Sequence, residues 1–212
     1  HELGERLLTA RMYYDVGRRY HDRSFISTIE QLEEAKALDL YGEILLKIHS
    51  HYVDDPNWTQ IVRRGGQAIE IALNEPSFRQ YHRLAAKPIR QANSESHDGD
   101  SATNSATRLA AFVSEVQRMR TIHTRHEARE MVKYFAQIGH RQLRLSSAAI
   151  VLEFASAATG TLDNYSTFLT GDQLNDVMSQ IEGNCVGLGI ELKADGDGLL
   201  IVHVIAGGPA QL

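Results

Sequence analysis

The stretch HTRHEARE, residues 123–130, holds the densest set of groups that could do chemistry. On a helix, His123 and Glu127 are four apart, and so are His126 and Glu130, so each pair shares a face. Imidazole and carboxylate both bind zinc, and a third ligand from elsewhere would complete a site. The plainer reading is a solvated helix face with i,i+4 pairs. In HSHY (49–52), His49 and His51 are two apart and point to different helix faces. Asp163 and Ser166 have the types of an acid and a nucleophile. Asp and Ser also brace turns by bonding to nearby backbone groups, and that is the simpler role. Cys185 stands alone, which excludes an internal disulfide, and it reads as a small buried apolar residue. ADGDG (194–198) has two aspartates but no following glutamate at calcium-loop spacing, so it reads as a hairpin turn. No metal and no cofactor is expected from these groups.

The elements that must carry such residues follow from pattern. A net charge of −5 supplies no basic field, so nucleic acid is not an expected partner. No apolar run approaches the roughly 20 residues a membrane span needs. No signal peptide is visible at the start, HELGERLLTARM. Leu3, Leu7, Leu8 and Met12 predict a helix from Glu2 to about Tyr20. Ser27 and Thr28, before IEQLEEAKAL, predict the start of a second helix that runs on through Ile44, Leu45, Ile48 and Tyr52. Asp55 before Pro56 breaks it. A third helix opens at Pro56. Gly65 and Gly66 lie in its middle, each costing about 1 kcal/mol relative to alanine. That cost predicts a kink or the close approach of another helix.

Residues 91–107, QANSESHDGDSATNSAT, are polar and aperiodic and predict a flexible loop. Leu109, Phe112, Val113 and Val116 begin the next helix, and Met131, Tyr134, Phe135 and Ile138 continue it, either as one helix of about 30 residues or with a break near Thr121. The segment 142–158 is nearly apolar all round at 148–155, as a central buried helix is, with Gly160 as a left-handed stop. Thr170 and Gln173 read as a capping box, followed by a stripe of Leu174, Val177, Met178 and Ile181 that ends at Gly183.

After Gly183 the period changes from helix to strand. Cys185–Lys193 and Leu199–Ile205 predict two strands joined by ADGDG. A hairpin of this size is not stable alone, so it belongs to a larger sheet. Its opening, VGLGIEL, has the form of the loop and strand that begin a PDZ domain. Glycines there let successive N–H groups face one small cavity that can hold a peptide's terminal carboxylate. Glycines in a strand also mark bulges and tight backbone approach.

Residues 161–212 resemble the C-terminal processing, or tail-specific, serine proteases. Leu162, Asp163, Ser166 and Leu169 match that family's motif before its PDZ domain. Gly187, Gly189 and Ile190 match the loop, and Gly207, Pro209 and Ala210 match the stretch that opens a PDZ helix. Asn164 and Tyr165 stand where the family usually has Pro-His.

The resemblance implies a mainly α chain: a multi-helix N-terminal bundle followed by a truncated, β-rich PDZ segment of two strands. It divides the chain into helical regions at 1–90 and 108–160 around the 91–107 loop, a connecting loop and helix at 161–182, and an incomplete PDZ domain from 183 to 212. It implies that Gly187, Leu188, Gly189 and Ile190 bind the carboxylate of peptide or protein C-termini. It places the family's catalytic serine and lysine C-terminal to the matched segment, so that no catalytic residue is expected within this chain. It implies the cell envelope or periplasm, and the helices could assemble copies of the chain. The alternative reading is a non-enzymatic helical docking or dimerisation module with a PDZ-like peptide-binding unit.

Overall fold

A computed structural model of the chain describes residues 2–84, 99–163, 166–182, 187–195 and 198–211. Among these are nine helices and one two-stranded antiparallel sheet. The helices are α1 (Glu2–His21), α2 (Arg23–Gln31), α3 (Glu34–His51), α4 (Trp58–Ala72), α5 (Pro76–Tyr81), α6 (Gly99–Arg118), α7 (Arg125–Leu143), α8 (Ser147–Gly160) and α9 (Gly171–Ile181). The strands are β1 (Ile190–Asp195) and β2 (Gly198–Val204). The chain forms two compact units, residues 1–170 and residues 171–212.

In the first unit α8 is the central element. It packs against α3, α4 and α7, and every side chain from Ala148 to Ala158 is buried. The all-round apolar sequence requires this, because no face of α8 is suited to water. Ser146 caps it by accepting the Ala149 N–H at 3.0 Å. Residues 142–143, expected in this helix, belong to α7, because Arg144 turns left-handed at φ 58° and ends that helix first. Gly160 is still helical, and Thr161 caps α8 in right-handed geometry, so the expected left-handed stop is absent.

The glycine pair in α4 marks close packing rather than a break, since α4 runs unbroken through it. A Cβ at Gly65 would lie 2.0 Å from a ring carbon of Phe154, and one at Gly66 would lie 2.4 Å from a methyl of Val116. Only a glycine lets α8 and α6 come this near.

Further boundaries differ from the sequence reading. The second helix is two helices, α2 and α3, separated at Leu32–Glu33. Its N-terminus lies at Asp22 instead of Ser27 or Thr28, because the Asp22 carboxylate accepts the N–H groups of Ser24 and Phe25 at 2.9 and 3.2 Å. Pro56 lies outside α4, which Asn57 caps by accepting the Gln60 N–H at 2.9 Å. Residues 99–107, expected in the flexible loop, form the start of α6. Small polar residues there hid a helix because a hydrophobic stripe, the signal used, begins only at Leu109. Residues 91–98 lie outside the described part. Of the two alternatives for the stretch after Leu109, the structure has the break, which falls at 119–124 between α6 and α7. There Thr59 bonds both backbone groups of Ile122, accepting its N–H at 2.8 Å and donating to its carbonyl at 3.3 Å.

The buried charge of α8 is Glu153, which has no exposed surface. Arg19 of α1 donates to it at 2.6 Å. Tyr20, the next residue, leads an aromatic cluster with Phe25, Phe78, Tyr81 and His82, at centroid separations of 4.8–5.7 Å from its ring. The segment after α8 is pinned to this unit at both ends. Tyr52 donates its hydroxyl to the Leu162 carbonyl at 2.8 Å, and Thr170 donates to Asp22. Burial acts to raise the Asp22 carboxyl, but the hydrogen bonds from Ser24 and Thr170 outweigh it and hold the pKa below its ordinary value.

Burial lowers the His82 pKa from 6.5 to about 4. The folded protein therefore favours the neutral ring, and the unfolded chain binds the extra proton between those values. Stability from this group is complete above about pH 6.5 and is lost as pH falls toward about 4. The urea midpoint should thus drop between pH 7 and pH 4.5, and His82→Gln should reduce that drop. An equal drop in the variant would show that His82 does not carry it.

Candidate functional site

The four residues singled out for carboxylate binding lie in the second unit. β1 begins at Ile190, so Gly187, Leu188 and Gly189 precede the strand instead of lying in it, as Cys185–Lys193 had predicted. Gly189 is the reason. Its φ of +74° leaves the extended region, and side chains rarely adopt it. Residues 183–186, including Gly183 and Cys185, lie outside the described part. The strands reach Asp195 and Gly198, so the connection is shorter than the five-residue ADGDG turn expected.

The hairpin pairs Ile190 with Val204, Glu191 with His203 and Leu192 with Ile201. The shift leaves Val202 as an extra residue in β2, a bulge that increases local twist. The loop before β1 is held by the turn after β2. Ile205 donates its N–H to the Gly189 carbonyl at 2.7 Å, and Ala210 donates to the Leu188 carbonyl at 2.9 Å. Gly207 is left-handed at φ +79°, its N–H donates to the Gln211 side chain, and a 3-10 turn follows at Pro209–Gln211. A Cβ on Gly189 would lie 3.0 Å from the Gly208 Cα, so two glycines face each other where the loop and the turn cross.

These bonds use the carbonyls of Leu188 and Gly189 and leave their N–H groups free. Among the described residues neither N–H has a hydrogen-bond partner. Leu188 is 66% exposed, and Ile190 is half-buried. Two neighbouring free N–H groups on a loop anchored by its carbonyls can donate to an anionic oxygen. The signal for Gly189 was in the sequence. The contribution of Gly208 and Ala210 was not, because it depends on the chain returning across the loop.

The other candidate residues are placed as follows. Asp163 accepts the Ser166 N–H at 2.6 Å, a local brace within the first unit. Leu162 is half-buried against the core, and Leu169 is half-buried. Thr124 caps α7 by accepting the Glu127 N–H at 3.1 Å, while Glu127 reaches back to the His123 N–H at 2.8 Å. That bond lowers the Glu127 pKa. Glu130 accepts from Arg129 at 3.2 Å. Both carboxylates of HTRHEARE thus have partners, and among the described residues no three ligand-type side chains gather where they could hold a metal.

No family model matches the chain, and neither a search of curated proteins nor one of solved structures finds a match.

Gly189→Ala should weaken the hairpin by about 1–2 kcal/mol, the cost of a left-handed non-glycine residue plus a tight contact at Gly208. Hydrogen exchange of the β1 and β2 amides should accelerate while α8 amides stay protected. Unchanged exchange in the strands would show that the loop does not hold them.

Proposed function

We propose that this chain is the non-catalytic, recognition portion of a C-terminal processing serine endopeptidase. In this reading a helical bundle precedes a PDZ-type unit that binds the free C-termini of substrate proteins. Gly187, Leu188, Gly189 and Ile190 form the carboxylate loop, and the exposed Leu188 and half-buried Ile190 meet the apolar end of the peptide. The observation that carries the reading is the pair of free N–H groups at Leu188 and Gly189, beside carbonyls fixed by Ala210 and Ile205. A carboxylate accepts hydrogen bonds only, so donors without partners are what it requires. An amide at the same place presents one oxygen in place of two and no charge. The hydrolysis itself, by serine with lysine as base, is assigned by resemblance to the segment C-terminal to residues 161–212. The cell envelope is the compartment proposed with it.

The test is fluorescence polarisation with a labelled peptide ending in Leu-Ala-Ala. The free acid should bind at least about tenfold more tightly than the C-terminal amide, the difference of one charge-assisted hydrogen bond. Gly189→Ala should remove the preference. Equal binding of acid and amide, or none of either, would overturn the reading.

A second reading is a docking or dimerisation module. It is favoured by the apolar surface of the second unit. Leu174, Val177, Met178 and Ile181 of α9 are exposed, and so is every residue of β2. Patches of this kind mark interaction sites. Light scattering across a hundredfold concentration range should then show a rising mass. A constant monomer mass would remove this reading and leave the first untouched.

A further inference from the structure

Charge is divided unevenly between the two units. Residues 171–212 hold six carboxylates and one lysine, which accounts for the whole net charge of −5, so the acidic and basic side chains of residues 1–170 balance. A negative unit attracts cationic groups and repels anionic ones over about 8 Å at physiological ionic strength. One of its carboxylates stands beside the loop that precedes β1. Glu191 follows Ile190 directly, is the second residue of β1, and is exposed. Among the described residues it takes part in no ion pair, and its ladder partner on β2 is His203.

One edge of β1 is bonded to β2, and among the described residues no strand lies on the other. An extended peptide can add itself to such an edge. A terminal carboxylate held by the Leu188 and Gly189 N–H groups sets the last residue of an antiparallel peptide beside Ile190 and the next-to-last beside Glu191. Directly opposed residues of antiparallel strands share a face, with Cβ atoms about 4.5–5.5 Å apart. The extra residue of the bulge is in β2, so β1 keeps its alternation and Glu191 lies on the face opposite that of Ile190 and Leu192. In the same register Lys193 meets the fourth residue from the peptide's end, so it does not offset Glu191 at the next-to-last one. An opposite charge at this spacing favours pairing by a few-fold, and a like charge opposes it. We propose, resting on the peptide-binding role given to the loop, that Glu191 is a specificity-determining residue: it selects C-termini with lysine or arginine next to last, before an apolar last residue.

Fluorescence polarisation on the full 212-residue chain compares labelled peptides ending in Leu-Lys-Ala, Leu-Ala-Ala and Leu-Glu-Ala. Affinity should fall in that order, with about a fivefold difference between the first and the last at low salt and a smaller one at high salt. Glu191→Lys should reverse the order. Asp176→Lys makes the same change of charge at an exposed position of α9. It should weaken the preference for lysine without reversing it. Equal binding of the three peptides, an unaltered order in Glu191→Lys, or a reversal by Asp176→Lys would each overturn the role of Glu191. Each of these outcomes leaves the carboxylate site standing where the free acid of Leu-Ala-Ala still binds more tightly than its amide. If no free acid binds, or if acid and amide bind alike, the carboxylate site fails and the role of Glu191 fails with it.

Discussion

A carboxylate with no exposed surface lies in the middle of the most apolar helix of this chain. Glu153 is surrounded by the alanines and branched residues that make α8 the core, and an isolated charge in such a place is not sustainable. Arg19 meets it at 2.6 Å across 134 residues of sequence. The pair fixes α1 against α8 at one register, because any slide or rotation of α1 would strand both charges. Such a pair contributes little net stability over an apolar pair of the same size. Breaking it costs several kcal/mol, so it acts on specificity of packing. Among the described residues the Glu153 Oε1 and Arg19 Nε atoms have no hydrogen-bond partner within the distance limits of an ordinary bond.

Much of the first unit is arranged around that register. Fixing Arg19 also fixes Tyr20, whose ring gathers Phe25 of α2, Phe78 and Tyr81 of α5, and His82. The Tyr20 hydroxyl is held far from ionisation, first by burial and then by the Glu153 charge. On the other side, Phe154 follows Glu153 directly and occupies the space that Gly65 leaves open, stacked on Phe135 at 5.9 Å. The buried charge, the aromatic cluster and the glycine notch are therefore consecutive consequences of how α8 is seated. A pocket lined by Arg19, Arg64 and Ser156 lies among α1, α4 and α8.

The second unit rests on backbone geometry. Among its described residues there is no comparable core: β2 is exposed along its whole length, and the loop before β1 is held by two hydrogen bonds and a contact between glycines. Side chains at Gly189 or Gly208 would separate the loop from the turn. The same two bonds orient the loop so that its carbonyls are engaged and its N–H groups are not. Structural support of the loop and the anion binding proposed for it thus rest on one arrangement of peptide planes.

Local signals were legible in the sequence, and each was legible because its cause lies within a few residues. The buried character of α8, the interruption at Asp55–Pro56, the hairpin of β1 and β2 and the special role of the glycines near 65 and 189 follow from periodicity and from which residues tolerate which φ. The start of α6 and the split between α2 and α3 were missed. Small polar residues carry no stripe, and the cap at Asp22 was masked by better-looking serines downstream. Glu153 interrupts the apolar run of α8, but no residue near it in the sequence says that Arg19 answers it. The same holds for Phe154 over Gly65, Thr170 on Asp22 and Ala210 on Leu188. The sequence determines which segments are helix, strand or turn, because those choices are made between neighbours. Tertiary structure alone decides which buried charges are answered and which donors are left free, because that depends on the faces two distant helices turn toward each other.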